Sequence, residues 1–288
     1  MIKVPATGLM YEKWLAEETP PKAVMLLVHG LGGHCGRWEF LAGQLSKFGI
    51  AGYAVELRGF GLNERSAAGH IDSFNEYFAD IAELCAIIRK EHPQKKIFLL
   101  GESMGGLLAY LAAIRELKCF GGLICISPAF KNKLKLSFAA YLKIIAALFY
   151  NPRKRFPLPF DSQMCTRDIG YQKKMESDKR EHRQASARLL FNLLLAQQRA
   201  AIFKNKLKTP LLFLVAGDDQ LVYSRATVDF FDKLKIKDKK LIQYPQMCHA
   251  LSIDKDRGRV FKDMQEWMKA RILKDRGPME DGRGTMSS

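Results

Sequence analysis

A chain of 288 residues in which 48% of side chains are hydrophobic is long enough to bury a sizeable core, and its formal net charge of +16 makes it strongly basic. It has no apolar run of the roughly eighteen residues that a membrane-spanning helix needs, and its first residues lack the basic, apolar and small-residue succession of a secretory signal, so the expected compartment is the cytoplasm. Six scattered cysteines without a Cys-x-x-Cys pair argue against a zinc site or thiol oxidoreductase, and no nucleic-acid recognition motif accompanies the charge, so neither metal nor nucleic acid is expected.

In chain order, an early edge strand is expected at 9–16, then buried strands at 23–28, 51–57, 96–100, 121–126, 210–216 and 240–244. Helical patterns fall between them at 37–48, 71–90, 104–117, 224–233 and 258–273. Such alternation predicts an α/β chain with a mostly parallel central sheet flanked by helices on both faces. Active sites in sheets of this kind lie off the carboxyl ends of the strands.

Two of these strand ends are rich in glycine. The run at 23–28 leads into His29-Gly30-Leu31-Gly32-Gly33, a turn suited to presenting a backbone N–H at Leu31. It lacks the last glycine of a dinucleotide fingerprint and no Gly-Lys-Ser/Thr follows, so a phosphate loop is not the reading. The run at 97–100 leads into Gly101-Glu102-Ser103-Met104-Gly105 and then a helix-forming stretch. A serine between such glycines, at a sharp strand-to-helix turn, is the pattern of a nucleophile elbow. The backbone N–H of Met104 and the start of the helix behind it are suited to an oxyanion.

A serine nucleophile needs a base and an acid later in the chain, each on a loop after a strand. Gly217-Asp218-Asp219-Gln220-Leu221-Val222 follows the strand at 210–216, and His249 follows the strand at 240–244. His249 is the expected general base. Either Asp218 or Asp219 could orient it, because adjacent residues at a strand end point in different directions. No cysteine occupies an elbow-like turn, so free thiols are expected.

The alternation pauses between 128 and 209, a stretch that reads as helices and loops without a sheet strand. The expected organisation is a core of 1–127 and 210–274, a helical cap or lid at 128–209, and a disordered tail at 275–288. Within the cap, 138–150 is almost wholly apolar and 186–203 carries leucines at helical spacing, and either run could be core packing or lipid contact. Residues 131–209 hold 18 Lys or Arg against 5 Asp or Glu, so the basic excess lives in the cap. That charge suits either a merely soluble exterior or peripheral docking on anionic membrane.

Taken together, these motifs resemble an α/β-hydrolase of the monoacylglycerol lipase and lysophospholipase group. His29-Gly30-Leu31-Gly32 is similar to the group's oxyanion turn, His34-Cys35-Gly36-Arg37-Trp38 to its His-Ser-Gly-Arg-aromatic continuation, and Arg58-Gly59-Phe60-Gly61 to its Arg-Gly-x-Gly turn. Gly217-x-Asp219-x-Leu221-Val222 fits its acid loop, which is the reason to prefer Asp219. Glu56 stands where the group usually has Asp, and Asn63 where it usually has Ser. The resemblance implies the α/β-hydrolase fold and hydrolysis of lipid-like monoacyl esters through an acyl-enzyme on Ser103, Asp219 and His249, without cofactor. Two rivals remain: a short-chain esterase or other acyl hydrolase of the same fold, and a non-catalytic ligand-binding homologue.

Overall fold

The structure is a computed structural model that describes residues 1–63, 65–116, 119–133 and 137–273. The expected tail at 275–288 and the end of the helix expected at 104–117 lie outside the described residues. The chain begins with β1 (Ile2–Lys3), β2 (Met10–Trp14) and β3 (Ala23–Val28), followed by α1 (Glu39–Lys47) and β4 (Ile50–Val55). Next come α2 (Phe74–Glu91), β5 (Ile97–Glu102), α3 (Met104–Arg115) and β6 (Gly122–Ile126). After β6 the chain forms α4 (Phe138–Tyr150), β7 (Arg155–Pro157), α5 (Ser162–Cys165), α6 (Ile169–Ser177), β8 (Gln184–Ser186) and α7 (Ala187–Phe203). It closes with β9 (Leu211–Ala216), α8 (Ser224–Asp232), β10 (Lys239–Tyr244) and α9 (Arg257–Leu273).

One sheet runs in the order β1-β2-β4-β3-β5-β6-β9-β10, with β1 and β2 antiparallel to their neighbours and the rest parallel. Every residue of β3, β4, β5, β6 and β9 is buried, as expected of strands covered on both faces. Alternate residues feed two cores. Val24, Leu26 and Val28 pack with α2, α3 and α7, whereas Ala23, Met25 and Leu27 pack with α1 and α9. The two-residue strand β1 was not expected; its residues are exposed and carry no periodic signal.

Local chemistry sets the helix ends. Ser73 and Glu76 form a reciprocal capping box that starts α2 three residues later than the apolar pattern suggests. The helix expected at 37–48 begins instead as a 3-10 turn at Cys35–Trp38, with the His34 imidazole accepting from Gly36 N. Along α7, Leu189, Leu193, Ala196 and Ala200 recur at helical spacing and are buried, so this face of the run is core, while Leu194, Leu195, Ile202 and Phe203 are exposed. In α4 only Ala147 is buried, while Phe138 and Phe149 are 78% and 87% exposed. The segment between β6 and β9 also holds a small antiparallel pair, β7 with β8, that a reading as helices and loops alone left out. Its strands are three residues each, lie far apart in the chain and include Pro157, too short for any periodicity to register.

Candidate active site

The turn from β5 into α3 holds Ser103 at φ 60° and ψ −121°, a left-handed backbone that a serine adopts only when its surroundings enforce it. The crossing has no room for side chains beside it. A Cβ on Gly101 would lie 2.1 Å from the carbonyl oxygen of Gly105, and a Cβ on Gly105 would lie 2.1 Å from that of Val28. Ser103 is pinned by its own backbone, with its N–H donating to Ile126 O at 2.9 Å and its carbonyl accepting from Ala129 N at 3.0 Å. Met104 opens α3, so its N–H has no intrahelical acceptor and lies at the positive end of the helix dipole.

The loop after β3 lies alongside. His29 is buried; its Nε2 accepts from Leu57 N at 3.1 Å and its Nδ1 is 2.9 Å from Gly30 O. Burial pushes this imidazole down to about 4 against the upward pull of Glu56, so at neutral pH it is an uncharged brace for the loop. Glu56 gives the turn its second anchor, accepting from Cys35 N at 2.6 Å and from Leu62 N at 2.8 Å. Asn63 in turn donates through Nδ2 to Glu56 O at 2.6 Å. Of the two departures from the group's pattern, Glu56 therefore ties the 3-10 turn at Cys35 to the turn after β4, and Asn63 closes that second turn on itself.

Off β9, the two candidate acids part company. Asp218 is exposed and accepts from the Gln220 side chain at 2.9 Å. Asp219 is 2% exposed, and its Oδ1 accepts from Leu221 N and Val222 N at 2.8 and 2.9 Å. Its Oδ2 lies 2.7 Å from His249 Nδ1. A carboxylate only accepts, so the imidazole proton sits on Nδ1 and Nε2 keeps its lone pair. That buried Nε2 has no hydrogen-bond partner among the described residues. Burial works against an imidazolium here, but the charge and hydrogen bond of Asp219, and then Glu102, outweigh it and raise the pKa above its ordinary value.

These groups share one cleft, whose walls include Leu31, Ser103, Met104 and His249 together with apolar Ala129, Leu221 and Val222. Asp219 reaches it through its bond to His249. Phe160, Cys165 and Leu193, from the segment between β6 and β9, line it as well. Arg37 and Glu102 line it too and were not foreseen as site residues. Arg37 is buried and gripped in two bonds by Glu181, at 2.7 and 2.5 Å, from 144 residues away. A charged residue at the end of an otherwise apolar strand was the one sequence signal that marked Glu102. All six cysteines are free, with burial pushing Cys165 up to about 11. Among the described residues no cluster of His, Cys, Asp or Glu is arranged to hold a metal ion, and no helix is long and apolar enough to cross a membrane.

A mostly parallel sheet whose strand-to-helix crossing forces a serine into a left-handed backbone, beside loops from β3, β9 and β10, has the α/β-hydrolase fold. Residues 19–256 match the family model Hydrolase_4, described as serine aminopeptidase, S33, and the chain belongs to that family of serine hydrolases. It is 28% identical over 261 residues to rat (Rattus norvegicus) monoglyceride lipase, covering 88% of this chain and 84% of the relative. It is 29% identical to phospholipase YtpA of Bacillus subtilis, covering 86% and 96%. Among solved structures, the Paleococcus ferrophilus monoacylglycerol lipase superposes with a TM-score of 0.81 at 25% identity, covering 91% of this chain and 99% of that one.

Proposed function

We propose that this chain is a serine carboxylic-ester hydrolase acting on monoacyl lipid esters through an acyl-enzyme. The observation that carries the reading is the left-handed Ser103 in one cleft with a histidine whose Nδ1 is bonded to a buried aspartate and whose Nε2 is unpartnered among the described residues. In this mechanism Ser103 Oγ attacks the ester carbonyl while its proton passes to His249 Nε2. Asp219 holds the imidazole in the tautomer that can receive it and stabilises the imidazolium. The N–H groups of Leu31 and Met104 receive the charge that develops on the carbonyl oxygen. The imidazolium then protonates the departing alcohol, the alcohol leaves, and water attacks the acyl-serine by the same route to release a fatty acid.

The monoacyl substrate class is supported by the apolar lining of the cleft and by relatives named as monoglyceride lipases and a phospholipase. In this reading residues 128–209 form a cap over a core of 1–127 and 210–274, sheltering the reaction from water and shaping the acyl pocket. The apolar side chains exposed on α4, next to exposed Lys143, Arg153, Lys154 and Arg155, support peripheral contact with an anionic lipid surface. A short-chain esterase is the competing reading within the same fold.

The test is a hydrolysis panel of monoacylglycerols, lysophospholipids and synthetic esters of graded chain length, run with the native chain and with Ser103→Ala. The expected result is activity on long monoacyl esters that falls by roughly four or more orders of magnitude in the variant. Full activity in Ser103→Ala overturns the mechanism, and activity confined to the shortest acyl groups overturns the lipid assignment.

A further inference from the structure

The strand β5 ends in Glu102, immediately before Ser103, and this side chain is only 4% exposed. A carboxylate taken out of water is costly unless its oxygens are bonded. Here both are bonded, and to one residue: Oε1 accepts from Ser252 N at 3.1 Å, and Oε2 accepts from Ser252 Oγ at 2.8 Å. Ser252 belongs to the 3-10 turn Leu251–Ile253, which directly follows the loop carrying His249.

Bonds from the other side hold the same stretch. Ala250 N donates to Cys165 O at 2.9 Å, Thr166 Oγ1 donates to Ile253 O at 3.0 Å, and Arg167 pairs with buried Asp254. The histidine's turn is therefore gripped between the strand that ends at the serine and the segment between β6 and β9. Glu102 is the side chain that ties this turn to the serine's own strand.

We propose that Glu102 is a positioning residue, fixing the His249 turn onto the strand that delivers Ser103 and placing a second carboxylate in the cleft that His249 lines. The proposal rests on the reading of Ser103 and His249 as nucleophile and base. The charged groups facing His249 are Asp219 after β9, Glu102 of β5 and Arg37 after β3, whose charge Glu181 answers. Cys165 and Tyr171 from the segment between β6 and β9 face Glu102 as well. Burial raises the pKa of Glu102, against the hydrogen bonds from Ser252 and the charges of His249 and Arg37. The negative charge of Glu102 favours the protonated imidazole, and its removal makes His249 a weaker base.

Glu102→Gln separates this role from mere packing, since the amide keeps the volume and can still bond Ser252 but carries no charge. The readouts are the pH profile of kcat/KM on a water-soluble acyl ester and the titration of the His249 imidazole followed by NMR. We expect both midpoints to move to lower pH by about 0.5 to 1, with Glu102→Asp, which keeps the charge, moving less. Unmoved midpoints in a folded Glu102→Gln protein overturn the proposal. The parent reading fails separately, when Ser103→Ala keeps native activity. Should the glutamine variant not fold, Ser252→Ala carries the test: loosening the turn is expected to lower kcat about tenfold with KM within about twofold, and an unchanged kcat overturns the clamp.

Discussion

His249 Nδ1 and Asp219 Oδ2 lie 2.7 Å apart, while the neighbouring Asp218 faces outward. The second oxygen of Asp219 is already committed to the N–H groups of Leu221 and Val222. In Asp219→Asn the amide oxygen would keep those two donors and turn its NH2 toward the imidazole. That forces the ring proton onto Nε2, the nitrogen that accepts from Ser103 in the proposed mechanism. The expected result is a fall in kcat of about four orders of magnitude with the fold intact, against a change within about twofold for Asp218→Asn. Single-turnover assays on one soluble ester check both, and an exchange of the two outcomes would overturn the assignment.

The serine's backbone depends on an equally close approach. Because a Cβ on Gly105 would fall 2.1 Å from Val28 O and 2.5 Å from His29 O, Gly105→Ala has to part β3 from the start of α3. Both neighbours are buried backbone at the carboxyl end of β3, where no flexible side chain can give way. The expected outcome is a loss of several kcal/mol, read as a lowered thermal midpoint or failure to accumulate folded protein. At half-buried Gly43 in α1, where a Cβ would meet nothing within 4 Å, alanine is expected to be neutral or stabilising.

Much of this fold was legible because its strands are buried on both faces and so appear as unbroken apolar runs, each ending in a turn signature. The glycines around Ser103 carried their own steric reason. What escaped reading was whatever depended on partners distant in the chain. Arg37 looked like one residue of a family pattern, but it lines the cleft through Glu181, and nothing local to either residue announces the other. Glu102 sat inside the elbow motif at a position the motif leaves open, and its role appears only with Ser252, 150 residues later. The pair β7 and β8 was invisible for the same reason.

Acid is expected to loosen the neighbourhood of the β3 loop before it reaches most carboxylates. Burial holds both His29 and His34 down to about 4, the latter helped by Arg180 and opposed by Glu181. A histidine whose pKa is depressed on folding binds its proton more readily in the unfolded chain. Stability is therefore expected to fall as pH drops from about 6.5 to about 4, by on the order of 3 kcal/mol for the fully buried His29. Denaturant midpoints measured between those limits check this. The dependence should weaken in His34→Gln, whose side chain does not titrate beside Asp178 and Glu181. An unchanged slope in that variant would remove His34 from the account.

The exposed face of α4 gives the last prediction. Phe138, Tyr141, Leu142, Ile145 and Phe149 stand in solvent on a helix that buries only Ala147, an arrangement that costs free energy unless a partner covers it. Lipid suits it on two counts: the side chains are those that enter an acyl boundary, and exposed Lys143, Arg153, Lys154 and Arg155 provide cations for anionic headgroups, each contributing about 1 kcal/mol. Native protein is expected to sediment with anionic vesicles at low salt and less with neutral ones. Phe138→Ser with Phe149→Ser should reduce that binding about tenfold or more, because each phenyl ring contributes its buried apolar area. Hydrolysis of a soluble short ester should stay within about twofold, since neither ring lines the cleft. Undiminished sedimentation of the double variant would assign the contact to charge alone, and equal binding to neutral vesicles would remove the electrostatic part.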